Sequence, residues 1–205
     1  MKKISPAFPV LLSTRLQLRP FSIDDCAEVN RLVGEKDVAT PLIAVDYPYS
    51  EDKARRWIVK HAPGYDVGGA LNFAVDERDS GVLVGFIGIG GNDSQVGMGY
   101  WYGKQFWGRG YATEAGCATI AFAFEELAVE QIAASHLTGN RASGRVLQKM
   151  GMRYQGRRPH YYPKWDQYCD KDEYAITGAD YLRAREEKPE CYRYRRIVSD
   201  DEDGR

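Results

Sequence analysis

The residues best suited to chemistry form one glycine-rich loop at positions 105–110, which reads Gln-Phe-Trp-Gly-Arg-Gly. Aromatic residues typical of a strand precede the loop, and a helix is predicted to begin near Ala112. Gly108 and Gly110 allow positive φ angles, and the first turn of a helix presents unpaired N–H groups at the positive end of its dipole. This combination predicts a binding site for a phosphate.

Two common phosphate-binding motifs do not match this loop. The spacing of Gly103 and Gly108 imitates the start of a P-loop, but Arg109 and Gly110 stand where that motif needs Lys and Ser or Thr. The glycines between positions 85 and 103 never fall into the G-x-G-x-x-G spacing of a dinucleotide-binding fold. The loop therefore belongs to another kind of phosphate site.

Two segments resemble the motifs of one enzyme family. Residues 99–102 and 105–115 are similar to the acetyl-CoA pyrophosphate motif of the GNAT N-acetyltransferases. Residues 140–152 resemble that family's next motif, particularly in its ribosomal-protein N-terminal (RimJ/RimL-like) branch. The resemblance covers roughly residues 14–177. It implies a cytoplasmic acyltransferase that moves an acetyl group from acetyl-CoA to a primary amine, on a protein N-terminus or a small molecule, by direct attack in a ternary complex.

The same resemblance assigns residues to the cofactor. The backbone N–H of Trp101 or a neighbour would polarise the thioester carbonyl, Asn140 would hold the pantetheine arm, and Ser143 would donate a proton to the leaving thiolate. From the residues alone, Asn140 and Ser143 could equally be turn or capping residues of the next helix. The full set of implied cofactor contacts is Tyr100, Trp101, Tyr102, Gln105, Trp107, Gly108, Arg109, Gly110, Tyr111, Ala112, Thr113, Asn140, Ser143 and Arg145.

Two positions depart from the family pattern. Leu147 stands where many relatives have a tyrosine general acid, and Ser135 stands where some have a glutamate base. These departures shift proton transfer towards Ser143, a water relay or His136, although strand alternation turns Ser135 and His136 to opposite faces. The alternatives are a non-catalytic acyl-CoA-binding sensor or regulatory protein, and a phosphate-loop protein that uses another nucleotide.

Acceptor specificity is expected from two segments rich in aromatic and polar residues, 41–49 and 160–168. Such residues suit a wall that stacks on a substrate and binds its amine, although they are also typical of surface loops. Tyr162, Trp165 and Asp166 are the predicted substrate-binding residues. The Trp165-Asp166 pair resembles a similar position in the RimJ/RimL-like branch.

The pattern of apolar residues predicts an α+β domain over residues 1–182. Two helices precede an antiparallel meander of strands at 71–75, 82–89 and 96–102, and strands at 152–157 and 173–176 complete the sheet. The loop and a helix connect residues 96–102 to a strand at 131–138, so these two strands should be parallel. The resemblance implies a GNAT-like twisted, mostly antiparallel sheet, with that parallel pair splayed at the acetyl-CoA site and helices on its flanks.

Composition limits the partners. A chain of 205 residues, 43% hydrophobic, suits one domain, and a net charge of -1 argues against a nucleic-acid partner. Four scattered cysteines show no metal-binding spacing and suit a reducing cytosol, and no apolar run approaches the length of a membrane span. The highly charged residues 183–205 are predicted to form a mobile tail. The resemblance also implies a homodimer.

Overall fold

A mixed sheet runs through the computed structural model, which describes residues 8–61, 69–92 and 95–197. The strands lie in the order β7-β8-β6-β5-β4-β3-β2-β1-β9. In β2, buried and partly covered side chains alternate as expected for a strand with one face in the core: Leu16 and Leu18 are buried, while Gln17 and Arg19 are only partly covered. The bounds are β1 Val10–Leu12, β2 Leu16–Pro20, β3 Leu71–Glu77, β4 Leu83–Asn92, β5 Gln95–Tyr102, β6 Gln131–Leu137, β7 Arg153–Tyr162, β8 Gln167–Thr177 and β9 Arg195–Ile197.

Helices cover both faces of the sheet. Serine residues cap the first helices: Ser22 caps a short 3₁₀ turn that leads into α1, and the Ser50 hydroxyl accepts from the backbone N–H of Lys53 at the start of α3. No helix in the described ranges is long and apolar enough to cross a membrane. The helix bounds are α1 Cys26–Val33, α2 Lys36–Ala39, α3 Glu51–Val59, α4 Tyr111–Glu126, α5 Arg141–Lys149 and α6 Gly178–Glu187.

The two faces of β5 belong to different parts of the core. Trp101 packs in the cluster formed with α1 and α3, whereas Tyr102 lies in the larger cluster formed with α4. Alternate residues of a strand point to opposite faces, so Tyr100 shares the α4 face with Tyr102. Helix α4 buries Cys117, Ile120 and Ala121, while Phe124 is only partly covered and stacks on Tyr181.

The parallel pair forms only at its beginning. Val96 pairs with Ile132 and Gly97 with Ala133, and then β5 continues along β4 while β6 continues along β8. Every other pairing in the described sheet is antiparallel. The predicted α+β fold with one splayed parallel pair is therefore confirmed, and the separation leaves a gap between the C-terminal ends of β5 and β6.

The β7–β8 hairpin is longer than predicted. Its strands pair from Arg153 with Ala175 to Tyr162 with Gln167, so most of segment 160–168, which lay outside the predicted strands, is strand. Most of β7 is exposed without alternation, which removes the sequence signal for a strand. A tight turn at 163–166 joins the strands, and Asp166 adopts a φ of 50° there, a conformation that aspartate tolerates.

The prediction of a mobile tail from residue 183 is wrong for residues 183–197. Helix α6 continues to Glu187, and β9 pairs with β1. Tyr192 is 4% exposed and donates its hydroxyl to the carbonyl of Met150 at 2.9 Å. Cys191 forms a disulfide with Cys117 of α4, with Cα atoms 5.8 Å apart, so the expectation of scattered thiols fails for this pair. Charged residues dominate this segment, but its aromatic residues hold it to the core; residues 198–205 lie outside the described ranges.

This docking predicts a large loss of stability in Tyr192→Ala. Truncating a buried aromatic side chain typically costs about 3–5 kcal/mol of the free energy of unfolding, and this variant also leaves the Met150 carbonyl without its donor. Tyr168, which is 74% exposed, provides the matched control, for which a change within about 0.5 kcal/mol is expected. Urea denaturation measures both. Equal stability of Tyr192→Ala and wild type would restore the mobile-tail interpretation.

Candidate active site

The gap between β5 and β6 opens into a cleft of about 1300 Å³. The starts of α4 and α5 form one side, and segment 37–43 and the β7–β8 hairpin form the other. Twelve of the fourteen predicted cofactor residues line this cleft: Tyr100, Trp101, Tyr102, Trp107, Gly108, Gly110, Tyr111, Ala112, Thr113, Asn140, Ser143 and Arg145. The structure thus brings together residues that lie up to 45 positions apart, from Tyr100 to Arg145.

The glycine loop leaves the first turn of α4 open. Gly108 and Gly110 have φ angles of 77° and 82°, and a Cβ at Gly108 would have no neighbour within 4 Å. Gly110 is the N-cap of α4, and no side chain caps this helix. The loop is tied to the end of β5 by the Trp107 indole, which donates to the Tyr102 carbonyl at 2.7 Å although the ring is 49% exposed. The N-terminal N–H groups of α4 therefore face the cleft without a side-chain partner.

Arg15, which the sequence analysis did not single out, braces this loop. Its guanidinium donates to the Glu114 carboxylate at 2.7 Å, to the Arg109 carbonyl at 3.1 Å, and lies 4.9 Å from the Tyr111 ring centroid. Glu114 also accepts from the hydroxyl of Ser13 at 2.8 Å. Because Glu114 lies in the first turn of α4, its negative charge would oppose an anion there, and Arg15 offsets that charge.

Two predicted cofactor residues do not line the cleft. Gln105 belongs to the 3₁₀ turn Lys104–Phe106, which directs its amide towards α1, where it accepts from Arg31 at 2.8 Å. The Arg109 guanidinium lies 5.6 Å from the ring centroid of Phe106. Neither side chain is therefore placed to line the cleft, and their contacts with the cofactor stay a prediction, although the backbone of Arg109 remains part of the loop.

The β4–β5 register shows which backbone groups face the gap. Gly103, directly after β5, donates its N–H to the carbonyl of Val84 at 3.1 Å. Antiparallel pairs alternate in hydrogen bonding, so Trp101, two residues earlier and opposite Phe86, also directs its N–H towards β4. The N–H groups of Tyr100 and Tyr102 then face β6. Trp101 itself is therefore the wrong donor for the gap, and its neighbour Tyr100 takes that position.

A tyrosine–serine pair lies at the start of α5. The Tyr100 hydroxyl is 2.8 Å from Ser143 Oγ and donates to the Ser143 carbonyl at 3.3 Å. Burial raises the pKa of Tyr100 to about 12, with a smaller opposing effect from the bond to Ser143, so the phenol stays protonated at neutral pH. Asn140 lines the cleft and also caps α5, because its Oδ1 accepts from the Ser143 N–H at 3.3 Å. Both open interpretations of Asn140 are thus compatible with its position.

The departures from the family pattern are explained by packing. Leu147 is 1% exposed and packs in the core at the border of the cleft, where its side chain has no proton to donate. His136 directs Nδ1 to the Leu137 carbonyl at 2.8 Å, which leaves the lone pair on Nε2. Nε2 has no partner among the described residues and is covered by α5: a Cβ at Gly144 would lie 2.6 Å from it. This shielding makes His136 a poor candidate for a base.

Of the three predicted substrate-binding residues, only Trp165 lines the cleft. Tyr162 is 1% exposed and packs behind Trp165, with ring centroids 5.4 Å apart. Asp166 is exposed in the hairpin turn, where its carboxylate accepts from the Tyr161 hydroxyl. Direct contact of Tyr162 or Asp166 with a substrate in the cleft is therefore not supported by this structure. A lone aromatic or acidic residue in sequence does not show on which side of a hairpin it lies.

The sequence did not indicate that two charged residues of β8 belong to the cleft. Glu173 and Lys171 line the cleft and form an ion pair at 3.3 Å, and Glu173 also pairs with Arg158 at 3.0 Å. Glu173 stands opposite Ser135 of β6, so both side chains lie on the same face of the sheet. The alternating charges at 170–173 were the available signal, but their meaning depended on knowing that β8 pairs with β6.

This fold and cleft define the class of protein, and comparison with known proteins agrees. A family model described as an acetyltransferase (GNAT) domain matches residues 15–153. The chain belongs to the GNAT acetyltransferase family and is an acyltransferase enzyme.

Individual relatives show the same likeness. The chain is 28% identical over 174 residues to an uncharacterized N-acetyltransferase of Bacillus subtilis, YoaA, covering 83% of this chain and 97% of the relative. It is 26% identical to the FsC-acetyl coenzyme A-N(2)-transacetylase of Aspergillus fumigatus, covering 92% and 84%. The solved structure of Mycobacterium smegmatis RimJ in complex with CoA-disulfide superposes with a TM-score of 0.75 at 21% identity, covering 89% and 95%.

Proposed function

We propose that the protein is an acetyl-CoA-dependent N-acetyltransferase that acetylates a primary amine by direct attack in a ternary complex. The uncapped glycine turn at α4, opening into the gap between the splayed strands, is the observation that carries this proposal. Names of two relatives agree: one is a transacetylase that uses acetyl coenzyme A, and the RimJ structure holds CoA-disulfide. The acceptor is a protein N-terminus or a small-molecule amine.

The residues of the cleft fit such a cofactor. The N–H groups of the Gly108–Tyr111 turn and the first turn of α4 suit a diphosphate, and the positive φ angles of Gly108 and Gly110 keep side chains out of its way. The unpaired edge of β5 suits the amides of a pantetheine arm, which would run beside it like an added strand. Asn140 at the start of α5 offers an amide to the same arm. Bound acetyl-CoA would supply the acetyl thioester.

Other residues of the cleft would act in the acetyl transfer itself. The Tyr100 N–H would donate to the thioester oxygen where negative charge develops, a contribution of roughly 3 kcal/mol. Ser143 would give a proton to the departing sulfur, Tyr100 would hold the serine hydroxyl in place, and water in the cleft would return a proton to Ser143. No cysteine lines the cleft in the described residues, and this supports direct attack over a covalent acetyl-enzyme. Water in the cleft, beside Ser135 and Glu173, would accept the proton of the amine.

Arg15 should govern cofactor affinity through charge. We expect Arg15→Met to weaken CoA binding about tenfold, because it leaves the Glu114 carboxylate uncompensated beside the diphosphate; the half-exposed position of Arg15 limits the effect. Adding Glu114→Gln should restore most of the affinity. Arg193→Met, which breaks an exposed ion pair with Glu190, is the control and should leave CoA affinity unchanged. Isothermal titration calorimetry measures all four proteins, and failure of Glu114→Gln to rescue would contradict the charge argument.

A direct assay tests the proposed function. The protein is incubated with acetyl-CoA and separate panels of N-terminal peptides, polyamines, amino acids and aminoglycosides, and released thiol and acetylated product are both measured. We expect turnover with at least one primary amine and none with its N-acetylated form. Tight CoA binding without turnover across the panels would instead support a non-catalytic acyl-CoA sensor. The homodimer and the cytoplasmic location stay predictions.

A further inference from the structure

Lys164 connects two segments of the cleft wall that lies opposite the start of α4. It lies in the hairpin turn between β7 and β8, and its ammonium donates to the backbone carbonyls of Ala39 at 3.0 Å, Leu42 at 2.9 Å and Val45. The carbonyl of Thr40 lies farther from the ammonium, at 3.5 Å. An ammonium has three N–H donors, so the three nearer carbonyls can use all of them. Among the described residues this ammonium forms no ion pair with a carboxylate. Its partners are backbone groups alone.

The segment that Lys164 holds has little structure of its own. After α2 ends at Ala39, residues 40–49 form neither helix nor strand, and two weak turns give the main backbone bonds: Leu42 to Ala39 at 3.2 Å and Val45 to Leu42 at 3.4 Å. The carbonyls that close these turns converge on the ammonium. A lysine often stabilises the open carbonyls at the end of a helix in this way, but here it comes from a distant hairpin.

Both attached segments form cleft walls. Residues Thr40 to Ile43 line the cleft, and so does Trp165, the residue next to Lys164. The ammonium also lies 5.2 Å from the centroid of the Trp165 ring. Burial lowers the pKa of Lys164, in keeping with its position against backbone carbonyls. The cofactor end, at the starts of α4 and α5, does not contact Lys164.

We propose that Lys164 is a positioning residue that clasps segment 40–45 to the β7–β8 hairpin and thereby sets the width of the acceptor pocket. The inference rests on the proposed function, because it takes this end of the cleft as the place where the amine enters. Without the ammonium, three carbonyls lose their donor and segment 40–45 moves away from Trp165. Acceptor binding then suffers while cofactor binding does not.

Three variants test the clasp. Lys164→Met removes the charge and keeps the apolar stem. Lys164→Arg keeps the charge, but a planar guanidinium cannot direct three N–H groups to three carbonyls around one point. Lys53→Met is the matched control, because Lys53 holds Asp46, beside the same segment, through an exposed ion pair at 3.0 Å. Each protein is examined by steady-state kinetics and by hydrogen exchange of residues 39–46.

For Lys164→Met we expect the acceptor KM to rise about tenfold or more, the acetyl-CoA KM to change less than about twofold, and exchange of residues 39–46 to accelerate. Lys164→Arg should fall between Lys164→Met and wild type, and Lys53→Met should match wild type. Equal rises in both KM values, unchanged exchange, or an equal effect of Lys53→Met would overturn the proposal. If Lys164→Met does not fold, an acceptor KM and exchange rate of Lys164→Arg equal to wild type would overturn it. If wild type acetylates no amine, the proposed function fails, while the exchange rates still decide whether the clasp exists.

Discussion

Ser143→Ala lowers kcat about a hundredfold in this account, because the hydroxyl that returns a proton to the leaving sulfur is lost. General acid catalysis typically contributes 10²–10⁴-fold, and water in the cleft would replace part of it. Tyr100→Phe should lower kcat about tenfold through the loss of the 2.8 Å bond that orients Ser143. The acetyl-CoA KM should change little in either variant, since neither hydroxyl belongs to the diphosphate site. Steady-state kinetics with a saturating acceptor measures these effects.

The pair should act as one unit. In the double variant the kcat loss should be close to that of Ser143→Ala alone, because residues that act together show strongly non-additive effects. Tyr154→Phe is the control: this tyrosine is exposed on β7, its hydroxyl bonds Asp172 at 3.4 Å, and it should retain wild-type kcat. Additive losses in the double variant would show that Tyr100 and Ser143 work independently. A wild-type kcat in Ser143→Ala would remove the serine from the mechanism.

The second large effect is expected in the glycine loop. Gly110→Val places a β-branched residue at a φ of 82°, where such residues are outliers, and directs new atoms towards Arg15 and the start of α4. CoA affinity should fall at least about a hundredfold, because the loop backbone must rearrange and the N–H groups of α4 lose their alignment. Isothermal titration calorimetry with CoA measures this loss.

Gly81→Val is the matched control for the same strain. Gly81 has a φ of 67°, lies in the β3–β4 turn, and has no atom within 4 Å of a built Cβ. Both substitutions should reduce the free energy of unfolding by roughly 1–2 kcal/mol, the cost of a side chain in the left-handed region. Only Gly110→Val should lose CoA affinity. Equal CoA affinity in Gly110→Val and Gly81→Val would show that the loop is not the diphosphate site.

The features that sequence could predict are local ones. The glycine loop, the helix after it and the parallel strand pair follow from neighbouring residues, because glycine spacing and apolar periodicity act over a few positions. Residues 183–197 were misjudged because their charges outnumber the two aromatic residues, Tyr192 and Tyr194, that fix the segment. The β7–β8 hairpin was predicted to be shorter than it is, because the mostly exposed residues of β7 give no alternating apolar pattern.

The features that sequence could not predict are contacts across the chain. Tyr100 meets Ser143 over 43 positions and Arg15 meets Glu114 over 99, and no local pattern couples such residues. The resemblance pointed to Leu147 as the place of a missing tyrosine, whereas the structure supplies a tyrosine hydroxyl to the same helix from β5. The resemblance left open whether Trp101 or a neighbour directs its N–H to the gap, since this direction depends on strand register, which the β4–β5 pairing alone reveals.

A crystal structure of the protein with CoA would show whether the start of α4 binds the diphosphate. We expect diphosphate oxygens within about 3.2 Å of backbone nitrogens in the glycine loop and the first turn of α4, with the pantetheine arm along β5 and the sulfur near Ser143. A diphosphate bound elsewhere, with the N–H groups at the start of α4 facing only solvent, would contradict the proposed function.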